Sequence, residues 1–168
     1  GLVDVYKRQV VKAINSFMSW VGGKKALRDE ILARFPLEYK RYIEVFGGAG
    51  WVLFHKPPGN DFEVFNDFNG NLVNLYRCVR EQPDKLKDEL RYILNSRLDF
   101  EYMKHVLHSQ AVLPDVRRAA FYYALIRYCY AAGTSITWRP FRKRTCRWMK
   151  SMPTTTWPSI CAGVWSMT

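Results

Sequence analysis

Apolar positions in the first half of this chain follow a short-period pattern broken by glycines. Tyr42 to Phe46 (YIEVF) is a β-rich run that ends in Gly47-Gly48-Ala49-Gly50, which predicts a buried strand feeding a tight turn. Phe62 to Phe65 (FEVF) predicts a second strand, closing at Asn66-Asp67. Between them Trp51 to His55 predicts a short helix, stopped by Pro57-Pro58-Gly59. The three pieces make a β-turn-α-β unit with about the length that a right-handed crossover needs. A helix from Lys25 to Phe35 is expected after the earlier Gly22-Gly23 turn.

The spacing changes at Asn69. Leu72, Leu75, Tyr76 and Val79 recur at helical intervals, and Leu86, Leu90, Ile93 and Leu94 do much the same behind Pro83 in a favourable first-turn position. A third helix is expected over Asp99 to His108. A fourth opens at Pro114-Asp115 with Ala120, Phe121, Ala124, Leu125 and Tyr128 on one face. From Gly133 onward neither period is sustained. The pattern divides the chain into a leader (1–12) that need not belong to the fold, a β-α-β part (13–68), a helical region (69–132) and an irregular tail (133–168).

Composition sharpens that last boundary. The chain carries 26 Lys and Arg against 15 Asp and Glu, a net charge of +11, but every acidic residue lies between Asp4 and Asp115. The first 115 residues therefore net to +2, and the surplus belongs to the 53 residues that follow. At the acidic frequency of the first part, about seven Asp or Glu would be expected there. Four of the six tryptophans and three of the five methionines also fall after Gly133. We read residues from about Gly133 as non-native coding sequence, such as the product of a frameshift, with a natural basic arm as the alternative. The arm reading makes the chain a non-catalytic DNA-binding module, with Arg139, Arg142, Lys143, Arg144, Arg147 and Lys150 on phosphates and Trp138 and Trp148 stacking on bases. The start at Gly1 rather than Met is read as the mark of a fragment.

Other classes recede. Cys78, Cys129, Cys146 and Cys161 are too far apart for a CxxC pair, which suggests a reducing cytoplasm rather than a disulfide scaffold. No stretch reads as a membrane span: Ala119 to Gly133 is short and broken by Arg127, and Ser151 to Thr168 contains Pro153 and Pro158. His105 and His108 share a helix face but no third ligand is spaced to join them, so no metal site is expected.

The strongest chemical signal is the Glu44 to Gly50 run followed by Asp67. Glycines after a strand let a backbone approach a ligand closely, and an acid at the end of the next strand can accept from ribose hydroxyls. Asp67 lies 17 residues after Gly50, close to the spacing of about 20 in dinucleotide folds. Leu53 stands where the third glycine of GxGxxG belongs, which counts against NAD and leaves other adenosine-containing ligands open. Trp20-Val21-Gly22-Gly23-Lys24 sets an aromatic and a cation around two glycines, where they could meet a ligand carboxylate, although spacing alone favours an ordinary turn before the helix. Asn66-Asp67-Phe68-Asn69 also reads as a turn in which Asn69 caps the next helix.

In order along the chain, SWVGGK (19–24), EVFGGAG (44–50), VLFHKPP (52–58), EVFNDFNGNLVNLYRCVR (63–80) and RRAAFYYALIRYCY (117–130) resemble the Dam-like, D12-class adenine-specific DNA methyltransferases. The resemblance runs through about 120 residues. It implies an α/β chain: an incomplete Rossmann-like, S-adenosylmethionine-dependent methyltransferase fold with a helical DNA-recognition insertion. It implies methyl transfer from S-adenosyl-L-methionine to adenine N6 in double-stranded DNA. Trp20 and Lys24 match the residues that help hold the cofactor. Phe46, Gly48 and Gly50 match the FxGxG turn with Gly47 in its variable slot, and Asp67 matches the acid that binds the adenosine part. The family's catalytic Asp-Pro-Pro-Tyr, expected beyond the helices, occurs nowhere in the 168 residues. No catalytic residue is therefore assigned, and the chain alone is expected to be inactive.

Overall fold

The computed structural model describes residues 14–57, 59, 61–109 and 111–129. The leader and the tail, with the basic cluster, Cys146 and Cys161, lie outside the described residues. The described part is α/β: strand β1 (Arg41–Glu44) pairs in parallel with β2 (Phe62–Phe65), and four longer helices follow. These are α2 (Gly70–Glu81), α3 (Pro83–Arg91), α4 (Arg97–His108) and α5 (Asp115–Tyr128), with the short α1 (Arg28–Ala33) ahead of β1. Among the described residues, no helix is long and apolar enough to cross a membrane.

Helix α5 is the centre of the helical part. The sequence spacing predicts one apolar face, but Ala119, Ala120 and every residue from Tyr122 to Ile126 are buried. A helix buried nearly all round must sit among other helices, and α2, α3 and α4 each pack on it. Leu72, Leu75 and Val79 of α2 join Ala119, Tyr122 and Ile126 in one cluster, while Phe100 and Met103 of α4 join Leu125 and Tyr128 in a second. Burial of large apolar side chains at roughly 1.5–3 kcal/mol each makes this the main source of stability.

Local chemistry sets the helix ends. Ser96 Oγ accepts from Asp99 N at 3.0 Å, so α4 starts two residues before the predicted Asp99. Leu94, predicted with the Leu86 helix, lies past the end of α3 and is exposed. The predicted Lys25–Phe35 helix is split into a 3-10 turn (Lys24–Ala26) and α1. Pro36 accounts for its early end, because the residue before a proline is pushed out of the α region.

The crossover departs most from expectation. Residues 51–55 form successive turns rather than a regular helix, with Phe54 N donating to Gly50 O and Lys56 N to Val52 O. Between Gly50, whose φ is positive, and Pro57 only six residues remain, too few to repay helix nucleation. The segment is anchored instead by Lys56, whose ammonium lies 3.1 Å from Asp61 Oδ2 and 2.5 Å from Glu63 Oε1. Burial works to lower the Lys56 pKa, but Glu63 and Asp61 outweigh it and hold the group above its ordinary value.

Asn69 joins the sheet end to the helices. Its Oδ1 accepts from Asn71 N and Leu72 N at the start of α2, and its Nδ2 donates to Tyr122 Oη of α5 at 2.7 Å. We expect Asn69→Ala to lose about 1–2 kcal/mol of stability, read as a lower urea midpoint. Asn69→Ser keeps the cap without the reach to Tyr122 and separates the two contributions. An unchanged midpoint in both variants would remove Asn69 from this role.

Candidate ligand-binding site at the glycine turn

The turn after β1 is built by close approach. A Cβ on Gly47 would lie 2.1–2.7 Å from ring atoms of Phe65, so no side chain fits there. In this chain Gly47 is thus not a freely variable position. Gly48 has φ +51°, and a Cβ on it would meet the Trp20 indole at 3.0 Å. The Gly48 N–H donates to Asp67 Oδ2 at 2.9 Å, and its carbonyl accepts from Tyr76 Oη at 3.0 Å. The other Asp67 oxygen accepts from Asn69 N at 2.9 Å. A single carboxylate thereby spans the ends of both strands.

Over this turn lies a cavity of about 240 Å³, lined by residues from three separated segments. Trp20 and Lys24 come from the Gly22-Gly23 turn, Glu44, Phe46 and Gly48 from the end of β1, and Asp67 from the end of β2. Of the six residues singled out in the sequence, Trp20, Lys24, Phe46, Gly48 and Asp67 meet here. Gly50 does not line the cavity; it backs onto Phe54 and Tyr76 and sets the exit of the turn. Phe46 contributes its backbone oxygen, which accepts from Lys24 Nζ at 3.2 Å, while its ring is exposed.

Three participants are not legible as site residues in the sequence. Glu44 is buried and faces the cavity, its Oε1 lying 3.6 Å from Lys24 Nζ and its Oε2 accepting from Tyr42 Oη at 3.0 Å. Burial raises its pKa, and the Tyr42 and Lys24 contacts offset this only in part. The same burial, with Glu44 beside it, pushes the Tyr42 phenol well up. Trp51 closes one side, with Lys25 Nζ 5.3 Å and the Arg28 guanidinium 5.7 Å from its ring centroid. Tyr76 braces the turn from α2, its ring centroid 4.5 Å from that of Phe65. Strand alternation was the available signal for Glu44: Tyr42 and Glu44 must share a face, and Glu44 is the last β1 residue on it.

The chemistry of the cavity is mixed. A half-exposed ammonium, a buried carboxylate and a bridging carboxylate surround bare glycine backbone between two indoles. Such a surface suits a ligand with an anionic group, a cationic group, hydroxyls and a flat apolar part. Its volume of about 240 Å³ is below the roughly 300–1,000 Å³ of small-molecule pockets.

The remaining candidates lie elsewhere. His105 and His108 are exposed on α4, and His55 Nε2 lies 2.8 Å from Asp29 Oδ1. Cys78 is buried and Cys129 half-buried, each with its thiol pKa raised by burial. No group of three His, Cys, Asp or Glu among the described residues is arranged to hold a metal ion.

Comparison with known proteins agrees with the motif order. Residues 20–139 match the model of the D12 class N6 adenine-specific DNA methyltransferase family. The chain is 28% identical over 134 residues to a type II methyltransferase of Methanocaldococcus jannaschii, covering 70% of this chain and 46% of that protein. It is 30% identical over 122 residues to a DNA adenine methylase of Serratia marcescens, covering 71% of this chain and 44% of that protein. A type II methyltransferase of Lactococcus lactis subsp. cremoris is 36% identical over 73 residues, 44% of this chain and 25% of that protein. The match spans less than half the length of each of these relatives. The chain belongs to the D12 class of N6 adenine-specific DNA methyltransferases.

Proposed function

We propose that the cavity at the glycine turn binds S-adenosyl-L-methionine, and that the chain supplies the cofactor-binding part of a site-specific adenine-N6 methyltransferase acting on double-stranded DNA. The observation that carries this reading is the convergence of Trp20, Lys24, Gly48 and Asp67 on one cavity in a chain of this family. In this reading residues 13–68 are the β-α-β part of a Rossmann-like fold and residues 69–132 are part of its helical DNA-recognition insertion.

The donor set fits the cofactor group by group. Lys24 would offer its ammonium to a carboxylate, Glu44 would answer a cationic group, and Asp67 keeps lone pairs for ribose hydroxyls beyond its two backbone bonds. Gly48 keeps the turn bare beside the Trp20 indole that lines the cavity, while Gly47 leaves room for the Phe65 ring behind it. When bound, the cofactor supplies an electrophilic methyl group. The residues named here bind and orient it and exclude water; the acceptor for the adenine amino proton is not among them, since the sequence has no Asp-Pro-Pro-Tyr.

Three outcomes follow. Asp67→Ala should weaken S-adenosylmethionine binding by about tenfold or more in calorimetry, the scale of losing a charge-assisted hydrogen bond. Unchanged affinity in a variant with native circular dichroism would take Asp67 out of the site. The 168-residue chain alone should incorporate no labelled methyl into double-stranded DNA, and clear incorporation would overturn the division of function drawn here.

The third outcome concerns pH. Glu44 has a folded pKa above the ordinary 4.5, so the native state binds its proton more tightly than the unfolded state does. Its contribution is most favourable below the unfolded value and declines as pH rises through the folded one. Glu44→Gln should therefore gain in thermal stability relative to the native chain as pH rises from about 4.5 to 7. A gap in Tm that stays constant across that range would show that burial does not govern Glu44.

A further inference from the structure

Glu44 is held by two groups from different parts of the chain. Its Oε1 lies 3.6 Å from Nζ of Lys24, which lines the cavity, and its Oε2 accepts from Tyr42 Oη at 3.0 Å. Tyr42 itself does not line the cavity. It precedes Glu44 by two residues on β1, so strand alternation puts both side chains on one face, with Tyr42 the further from the turn. The Tyr42 ring is packed in its turn. Its centroid is 5.7 Å from that of Phe35, and the Lys56 ammonium lies 5.7 Å from it. Lys56 is fixed by Asp61 and Glu63, and Glu63 is the register partner of Tyr42. A phenol seated in this way keeps its hydroxyl where the Glu44 carboxylate is. A glutamate with free rotors would have to be ordered on binding; this one is ordered before a ligand arrives.

We propose that Tyr42 is a positioning residue of the ligand site: from outside the cavity, its hydroxyl holds Glu44 in the orientation and the ionised state that meet the cationic group of S-adenosyl-L-methionine. This rests on the cavity's binding that cofactor, and adds to it a residue that touches no ligand. A hydroxyl that donates to a carboxylate favours the charged form, whereas burial of Glu44 works the other way. Without the hydroxyl, burial is opposed by Lys24 and the Leu53 backbone N–H alone, and the carboxyl takes up its proton at a higher pH. Around the pair stand Lys24 from the 3-10 turn, Tyr76 from α2, Asp67 in the same cavity, and Tyr39, Lys56 and Glu63 near the Tyr42 ring. Tyr39, Tyr42, Tyr76 and Lys56 are all held above their ordinary values, so each keeps one form between about pH 5 and 8. Glu44 is then the group of this pair whose charge the Tyr42 hydroxyl controls.

Tyr42→Phe keeps the ring packing and removes only the donor, and two measurements on the 168-residue chain test its effect. The first is a ligand-free NMR titration of the glutamate carboxyl carbons, with the Glu44 signal assigned by its loss in Glu44→Gln. The Glu44 midpoint should rise by about one pH unit in Tyr42→Phe, the scale of one hydrogen bond to a charged group. The second is calorimetry with S-adenosyl-L-methionine at about pH 8 and about pH 5. Tyr42→Phe should bind within about threefold of the native chain at the higher pH and about tenfold more weakly at the lower, the ratio that a one-unit rise implies. Added to Glu44→Gln, the same change should have no effect at either pH. An unmoved Glu44 midpoint overturns the proposal. So does an equal loss of affinity at both pH values, or a loss that persists in Glu44→Gln, because Tyr42 would then act through packing alone. If the native chain binds no S-adenosyl-L-methionine, the cofactor reading falls, and the ligand-free titration still decides whether Tyr42 holds Glu44.

Discussion

Two hydrogen bonds to one carboxylate tie this molecule together. Asp67 holds the Gly48 N–H with one oxygen and the Asn69 N–H with the other. Through Gly48 it controls the turn that leaves β1, and through Asn69 it reaches the start of α2 and the Tyr122 hydroxyl of α5. A charged acceptor bonded to backbone N–H groups makes roughly twice as strong a contact as a neutral one. Tyr76 runs a second brace between the same parts, from α2 to the Gly48 carbonyl. The candidate ligand surface is therefore positioned by the helical core as much as by the strands it crowns.

That arrangement explains which features could be read in advance. Asn69 was legible as a cap because capping is local: an Asn directly before an apolar helical period has few other roles. Asp67 was legible because the end of a strand after a glycine turn is a position with known geometry. Parallel pairing was legible from the distance between the two β-rich runs. The helices after Pro83 and Pro114 began where those prolines put them.

What remained hidden depended on contacts between distant residues. Gly47 is forced by the ring of Phe65, which approaches it only once β2 is paired. Glu44 has the pattern of any inward strand residue until Lys24 and Tyr42 are folded against it. The regular helix expected over Trp51 to His55 fails because its ends are spent on a positive-φ glycine and a proline, while the ion pairs of Lys56 hold the segment. The apolar face predicted for α5 was too narrow because three helices, not one, pack around it.

The two halves of the described structure thus owe their order to different forces. Helices α2 to α5 make their contacts within 60 residues of sequence and bury Leu72, Leu75, Phe100 and Tyr122 almost completely. The strands bury little on one face and are held by polar groups: Lys56 with Asp61 and Glu63, Glu44 with Tyr42 and Lys24, and Asp67 with two backbone amides. Buried ion pairs contribute modestly to net stability but penalise alternative geometries, since breaking one leaves a buried charge without its partner. Polar contacts here act chiefly on shape, fixing the glycine turn and its cavity, while the helical core supplies the free energy that keeps the described residues folded.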